Sequence, residues 1–331
     1  MTHPDPTTAW HGRVDSIDGR AGLRWHQVVR PIAQSTTTGV ALLGFACDAG
    51  IRRNHGRPGA VDGPQALRQY LANLAWHGGE SGALYDAGDV RPKGDALEEA
   101  QADYARRATR ALQQGHRVIG LGGGHEIAWA SYQGLAAALA DDARLRRLGV
   151  VNFDAHFDLR RPEQAGRGSS GTPFLQIAEA RAASGLPFEY LCLGISETAN
   201  TPALFERAVS LGVQYVADVD IESARAEATL RDFVARCEAI YCTFCLDVLP
   251  PSVAPGVSAP SGLGVPLHRA VALVRALVAE CRHDPAVDKL VLADIAEFSP
   301  PHDAPDGRTG RAAARIVYEL AALRKPGSDP G

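Results

Sequence analysis

Residues 148–158 of this chain read LGVVNFDAHFD. The first six carry no charge and form a short apolar run, and the last five alternate Asp154, His156 and Asp158 with Ala155 and Phe157. A short apolar run is typical of a strand that is buried on both faces of a parallel sheet. Ligand sites in open parallel sheets lie beyond the carboxyl ends of the strands, so this stretch predicts a buried strand that ends in a functional site.

The rest of the chain repeats this arrangement of apolar run and helical pattern. Further strand-like runs occupy 40–45, 117–121, 190–193, 213–216, 239–245 and 289–293. Helical patterns occupy 64–75, 97–114, 127–140, 203–211, 221–236, 266–281 and 311–323. Such alternation predicts βαβ units and a parallel sheet covered by helices on both faces. Because no repeat or long linker divides the chain, we predict one three-layer αβα domain over 1–331, with a mainly parallel central sheet and an irregular N-terminal extension at 1–37.

The composition is typical of a globular protein, with 45% hydrophobic and 22% charged residues. A net charge of -4 provides no basic field for a phosphate backbone, so we expect no nucleic-acid partner. The N-terminus does not resemble a secretory signal, and no apolar run is long enough to span a membrane. We therefore expect a cytoplasmic protein without a membrane partner. The six cysteines form no CxxC pair, which favours reduced thiols that fill the core.

Polar clusters also follow three other predicted strands. They contain His125 after 117–121, Asp247 after 239–245, and Asp294 with Glu297 after 289–293. Each cluster alone has an ordinary interpretation, since a histidine at a helix start or an acid beyond a strand is often a surface residue. Together they place several acids and imidazoles at the same predicted edge of the sheet.

The spacing within the clusters indicates a metal site. In an extended chain, a period of two would put Asp154, His156 and Asp158 on one face, and would do the same for Cys245 and Asp247. Burying carboxylates side by side is costly without a compensating cation. A bound metal ion is therefore the natural partner of these residues, in preference to a solvated turn.

The four clusters, in this order, resemble the signature motifs of the arginase, agmatinase and formimidoylglutamase superfamily. Further matches at 54–60, 63–68 and 85–89 extend the resemblance over most of the chain. The formimidoylglutamase branch is favoured by the segments at 10–15 (WHGRVD), 26–29 (HQVV), 124–126 (GHE) and 169–174 (SSGTPF). Arginases and agmatinases usually carry an Asn-x-His-Gly sequence near the position of Ser170, and its absence here argues against a guanidinium substrate.

The resemblance implies a site for two Mn²⁺ ions and a hydrolytic reaction. His125 and Asp158 would bind one ion, His156 and Asp247 the other, and Asp154 would bridge them. A hydroxide held between the metals would cleave N-formimidoyl-L-glutamate to L-glutamate and formamide. Asp158 would pass a proton to the leaving nitrogen. Glu297 would hold the cationic formimidoyl nitrogen.

A substrate with two carboxylates requires cations and hydrogen-bond donors. The loop beyond the metal motif offers five candidates: Arg160, Arg161, Arg167, Ser169 and Ser170. Each arginine could equally be a structural salt-bridge partner. Another ureohydrolase activity, on arginine, agmatine or guanidinobutyrate, remains the alternative function, and the resemblance is compatible with a homo-oligomer.

Cys245 departs from the family motif, in which an aspartate that bridges both metals stands at this position. A thiolate could bind metal, but it is a soft ligand that favours zinc or iron over manganese. Alternatively, Cys245 is an inert buried thiol in a metal-impaired member of the family. A third hypothesis is a redox-sensitive site, in which Cys47, at another predicted strand end, approaches Cys245.

Overall fold

Nine strands form a single sheet in the computed structural model, which describes residues 9–79, 82–284 and 286–323. The strands are β1 (Arg30–Pro31), β2 (Val40–Phe45), β3 (Leu84–Val90), β4 (Arg117–Gly122), β5 (Leu148–Phe153), β6 (Glu189–Ile195), β7 (Gln214–Ala217), β8 (Ala239–Cys245) and β9 (Leu290–Ala296). Their order is β1-β3-β2-β4-β9-β8-β5-β6-β7, and each pair of neighbours runs parallel. The predicted parallel sheet is confirmed.

Ten α-helices accompany the strands within the residues that the structure describes. They are α1 (Trp25–Val28), α2 (Ala49–Arg53), α3 (Gly63–Ala72), α4 (Leu97–Gln113), α5 (Ile127–Ala138), α6 (Pro173–Ala183), α7 (Pro202–Ser210), α8 (Ala224–Arg236), α9 (Leu267–Cys281) and α10 (Arg308–Ala321). No helix within the described residues is both long and apolar enough to cross a membrane.

The sheet separates two hydrophobic cores, because successive side chains of a strand point to opposite faces. In β5, Val151 and Phe153 belong to one core, together with residues of α3, α8, α9 and α10. Leu148 and Val150 belong to the other core, together with residues of α4, α5, α6 and α7. Both faces of the sheet are therefore covered by helices, as the uninterrupted apolar runs predict.

Five elements were absent from the sequence prediction: β1, β3, α1, α2 and α6. The strand β3 contains Asp86, Gly88 and Asp89 in seven residues and so lacks an apolar run. The helix α6 follows a loop rich in glycine and serine that conceals its start. The two-residue strand β1 falls within the segment expected to be an irregular extension, where it pairs with β3 at one edge of the sheet.

The strand order brings four polar clusters together. β4, β9, β8 and β5 are consecutive in the sheet, so their carboxyl ends meet at its centre. The loops beyond them are joined by backbone hydrogen bonds: the Glu297 N–H donates to the Gly123 carbonyl over 2.8 Å, and the Gly124 N–H donates to the Cys47 carbonyl over 2.9 Å. These bonds fix the positions of the loops relative to one another.

A buried ion pair ties the N-terminal segment to the domain. Arg68 on α3 donates to both carboxylate oxygens of Asp86, over 2.8 and 2.9 Å, and to Asp89 over 2.6 Å. The Trp10 indole donates to the same Asp86 over 2.7 Å. The Arg68 side chain is only 1% exposed, so its charge depends on these partners.

Replacing Arg68 with methionine is expected to lower the free energy of unfolding by about 3–5 kcal/mol, because it leaves the buried Asp86 without its cation. Denaturant unfolding of the two proteins measures the difference. Arg106→Gln is the matched control, since Arg106 is exposed on α4 and should change stability by less than about 0.5 kcal/mol. A loss below about 1 kcal/mol for Arg68→Met would contradict the importance assigned to the buried pair.

Candidate metal centre and its cavity

His125 follows β4 in a tight turn. A side chain at Gly123 would overlap the carbonyl oxygen of Cys47, so the turn needs glycine there. The His125 ring is buried, and its Nδ1 lies 2.9 Å from Asp154 Oδ2 and 3.0 Å from Asp158 Oδ2. Its Nε2 lies 2.9 Å from the Thr243 hydroxyl. When Nδ1 binds a metal ion, the ring carries its proton on Nε2 and would donate it to Thr243.

The Thr243 hydroxyl connects His125 to a second buried carboxylate. Thr243 is hydrogen-bonded to Asp294, which also accepts from Ser131 over 2.6 Å and from Tyr241 over 2.7 Å. Burial raises the pKa of Asp294, and these three donors oppose that rise. The network fixes the orientation of the His125 ring through its second nitrogen.

Replacing Thr243 with valine should therefore weaken Mn²⁺ binding by about 10- to 100-fold, as expected when the outer partner of a ligating histidine is lost. Thr243→Ser keeps the hydroxyl and serves as the control. Competition with a fluorescent chelator measures the affinity of each protein. Equal affinities for the valine and serine variants would show that Thr243 does not position the ring.

The second group of ligands contains Asp154, His156 and Asp247. His156 Nδ1 lies 3.1 Å from Asp247 Oδ2 and 3.4 Å from Asp154 Oδ1. The two oxygens of Asp154 thus face different histidines, Oδ2 toward His125 and Oδ1 toward His156. Asp154 belongs to both candidate metal groups, which is the arrangement expected of a bridging ligand.

The backbone beyond β5 and β8 differs from the extended conformation that the sequence prediction assumed. The period-two argument was wrong, because β5 ends at Phe153 and the following residues bend. Asp158 has a φ of +47°, so its carboxylate reaches the site from a left-handed turn. Asp247 likewise lies in a short helical turn after β8, and so does not share a strand face with Cys245.

The residues fit a pair of divalent cations. Within the described structure, Asp247 Oδ1 is buried without a hydrogen-bond partner, and His125 Nδ1 is buried against two carboxylate oxygens. Neighbouring ligands at about 2.1 Å from an octahedral ion lie roughly 3 Å apart, which matches the spacing of these nitrogens and oxygens. Burial opposes charge on His125, yet Asp154 and Asp158 raise its pKa well above the usual range. Imidazole and carboxylate ligands of this kind suit Mn²⁺.

Cys245 lies inside the ligand cluster. Its sulfur lies within 4.8 Å of ligand atoms of His125 and Asp154. Burial, reinforced by the nearby carboxylates, raises the pKa of the Cys245 thiol well above its ordinary value. The thiol therefore stands where the family motif has a bridging aspartate, among groups that oppose its ionisation.

The predicted approach of Cys47 to Cys245 is not supported. β4 and β9 stand between β2 and β8, so the two chain segments are separated by three strand spacings, roughly 14 Å. A disulfide requires Cα atoms about 4.4–6.8 Å apart. Cys47 faces Glu126 and Asp48. All six cysteines are free and buried, in agreement with the expected core positions.

Glu297 reaches the same cavity from beyond β9. Its φ is +72°, and its carboxylate accepts from the His125 N–H over 2.9 Å and from the Ser258 hydroxyl. Burial, with a contribution from Asp247, raises the pKa of Glu297 to about 7. The carboxylate is thus held in one orientation beside the candidate metal ligands.

These groups line a cavity of about 260 Å³. Its lining includes the predicted residues His125, His156, Asp158, Arg160, Ser170, Cys245, Asp247 and Glu297. It also includes Asn54, His55, Arg57 and Ser258, which the sequence prediction did not assign to the site. Asn54, His55 and Arg57 lie in the 54–60 segment that carried part of the family resemblance. That segment could therefore have indicated them as site residues.

Three of the five predicted substrate residues line a neighbouring cavity instead. Arg161, Arg167 and Ser169 border a space of about 560 Å³ that shares Arg160 with the first cavity. Arg167 forms an ion pair with Asp95 over 2.9 Å. This agrees with its alternative interpretation as a structural salt-bridge partner. The Ser169 hydroxyl accepts from the Gly171 N–H and so shapes a turn. Arg160 and Ser170 line the cavity of the candidate metal ligands, and the substrate roles of all five residues stay predictions.

Arg160 reaches the first cavity across a glycine. A side chain at Gly171 would lie 2.9 Å from Arg160 Cδ and 3.0 Å from Asn54 Oδ1, so the glycine makes room for both residues. Among the described residues, no carboxylate forms an ion pair with Arg160. The arginine is therefore available to an anionic ligand.

Comparison with known proteins identifies several relatives. The family model described as the Arginase family matches residues 38–322. The formimidoylglutamase of Ralstonia nicotianae is 52% identical, over 96% of this chain and 96% of its own length. That of Aromatoleum aromaticum is 48% identical, over 97% and 94%. The solved structure of a formiminoglutamase variant from Trypanosoma cruzi with manganese is 26% identical and covers 89% of this chain and 97% of its own, with a TM-score of 0.77.

Proposed function

The chain belongs to the arginase family, and on this premise we propose that it hydrolyses N-formimidoyl-L-glutamate to L-glutamate and formamide. One observation carries the proposal beyond family membership. The cavity that contains the candidate metal ligands and Glu297 also contains Arg160, without an acidic partner among the described residues. A cavity lined both by an acid and by a guanidinium without an acidic partner is complementary to a substrate with a cationic head and an anionic tail.

The reaction adds water across one C–N bond. The oxygen of water bonds to the formimidoyl carbon and becomes the carbonyl oxygen of formamide. The bond from that carbon to the glutamate nitrogen breaks, and the two protons of water pass to this nitrogen, which leaves as the ammonium group of L-glutamate. Bound Mn²⁺, held by His125, Asp154, His156, Asp158 and Asp247, would supply Lewis-acid chemistry and lower the pKa of a coordinated water.

The chain itself orients the substrate and moves the proton. Glu297 faces the cationic formimidoyl nitrogen and fixes its orientation, because its own carboxylate is held by His125 and Ser258. Asp158 lines the cavity. In the proposed reaction it passes a proton to the leaving glutamate nitrogen. Arg160 and the Ser170 hydroxyl contact the carboxylate next to that nitrogen.

A comparison of substrates tests the proposal. The protein reconstituted with Mn²⁺ should prefer N-formimidoyl-L-glutamate to arginine, agmatine and 4-guanidinobutyrate by at least about 100-fold in kcat/KM. A site built for two carboxylates rejects analogues that leave its cations unpaired. Preference for any guanidino compound under the same conditions would contradict it.

The remaining parts of the proposal concern the setting of the enzyme. We propose a cytoplasmic, manganese-dependent enzyme of histidine degradation that takes a small substrate and uses neither nucleic acid nor membrane as a partner. The net charge of -4 supports the exclusion of nucleic acid as a partner. The proposal is compatible with a homo-oligomer.

A further inference from the structure

The loop that follows α2 covers part of the cavity and is held in one conformation. Asp48 accepts a hydrogen bond from the Gly59 N–H over 2.8 Å and pairs with Arg52, which closes the loop at its base. His55, in the middle of the loop, has a φ of +59°. Because both ends of this loop are fixed, the residues between them have a defined position at the cavity mouth.

Arg57 extends from this loop into the cavity lining. Its Nε donates to the Ser258 carbonyl over 3.2 Å, and its Nη2 donates to the Val257 carbonyl over 2.5 Å. Nη1 has no hydrogen-bond partner among the described residues, and none of their carboxylates pairs with the guanidinium. Two neutral carbonyls therefore position the side chain while its positive charge stays uncompensated.

Ser258 links this cation to Glu297. The Ser258 hydroxyl donates to Glu297, and its carbonyl accepts from Arg57. One residue thus sets the separation between an acid that receives the cationic end of a ligand and an arginine that can receive an anionic end. Arg160, two residues beyond the candidate metal ligand Asp158, lines the same cavity.

We infer that Arg57 binds the side-chain carboxylate of the substrate and sets the specificity for a dicarboxylate. This inference rests on the proposed function. The α-carboxylate is bound close to the scissile nitrogen, so it must remain near the metal ligands, where Arg160 and the buried Ser170 lie. The side-chain carboxylate is several bonds farther away and reaches the exposed mouth, where Arg57 is fixed.

The test compares Arg57→Gln with the unmodified protein on three substrates, all with Mn²⁺ bound. These are N-formimidoyl-L-glutamate, its side-chain amide N-formimidoyl-L-glutamine, and its α-amide. We expect kcat/KM to fall by about 10- to 100-fold, mainly through KM, on the parent and on the α-amide, because a hydrogen bond to a charged group is lost. On the side-chain amide the two proteins should agree within about threefold, since no charge remains for Arg57 to bind.

Arg57→Lys keeps the charge without the two carbonyl contacts, and it should recover part of the preference for the parent over the side-chain amide. Arg106→Gln removes one exposed positive charge from α4 and should leave all three rates unchanged. Equal losses on the three substrates would show that Arg57 only stabilises its loop, and would overturn the inference. Unchanged rates for Arg57→Gln would also overturn it.

Calorimetry with L-glutamate, the proposed product, provides a measurement that does not require turnover. Arg57→Gln should weaken binding of L-glutamate to the manganese-loaded protein by about 10-fold or more. If the unmodified protein fails to hydrolyse N-formimidoyl-L-glutamate yet binds L-glutamate through Arg57, the proposed function fails, while Arg57 keeps its role as a carboxylate-binding residue. If it neither turns over the substrate nor binds L-glutamate, both are overturned.

Discussion

Replacing Asp154 with asparagine is expected to abolish manganese binding in both halves of the site and to reduce kcat/KM by at least about 1,000-fold. Asp154 is fully buried, and its two oxygens face His125 and His156 separately. Loss of a ligand shared by two ions removes the several kcal/mol that metal ions contribute to the transition state, and about 4 kcal/mol corresponds to this factor.

Metal content by mass spectrometry and steady-state hydrolysis measure the two parts of this result. Asparagine has nearly the same shape, so the variant should keep the hydrogen bond that Asp154 accepts from the His156 N–H over 2.7 Å. Asp103→Asn, which removes a half-buried carboxylate from α4, is the control and should retain both ions. Two bound ions in the Asp154 variant would exclude a bridging role for this residue.

Replacing Cys245 with aspartate is expected to increase the affinity for Mn²⁺ by at least about 10-fold and to raise turnover. The sulfur stands beside His125 and Asp154 in the ligand cluster. Burial and the surrounding carboxylates oppose ionisation of the thiol. A carboxylate is ionised at neutral pH and is a hard ligand that suits manganese, whereas a thiolate selects softer ions such as zinc.

The experiment measures manganese stoichiometry, the ratio of zinc to manganese affinity, and turnover in the reduced protein and its variant. The ratio should fall on replacement, because the soft ligand is lost. Cys245→Ala removes the thiol without adding a carboxylate. It therefore separates the effect of losing the thiol from the effect of gaining a carboxylate. Near two manganese ions and equal turnover in the unmodified protein would contradict the prediction and show that the site accommodates the thiol.

The sequence predicted the sheet and the main ligands because both depend on short segments. Each buried strand is a continuous apolar run, and the polar residues directly beyond 117–121, 148–153, 239–245 and 289–293 indicate its carboxyl end. In a parallel sheet all carboxyl ends lie at one edge, so the convergence of these clusters follows without knowledge of the strand order. The strand β3 was not predicted, because its acids and its glycine interrupt the apolar pattern.

Only the tertiary structure decided which cations face the cavity and how the ligands are supported. Arg160 and Arg167 belong to one loop and carry the same charge, yet Asp95, distant in sequence, pairs with Arg167 and not with Arg160. Arg57 is held at the cavity by hydrogen bonds to the carbonyls of Val257 and Ser258, which lie some 200 positions farther along the chain. The direction of a long side chain depends on packing and hydrogen bonds between distant segments. Local sequence therefore determined the strand ends and ligand types, and the folded chain determined which side chains meet there.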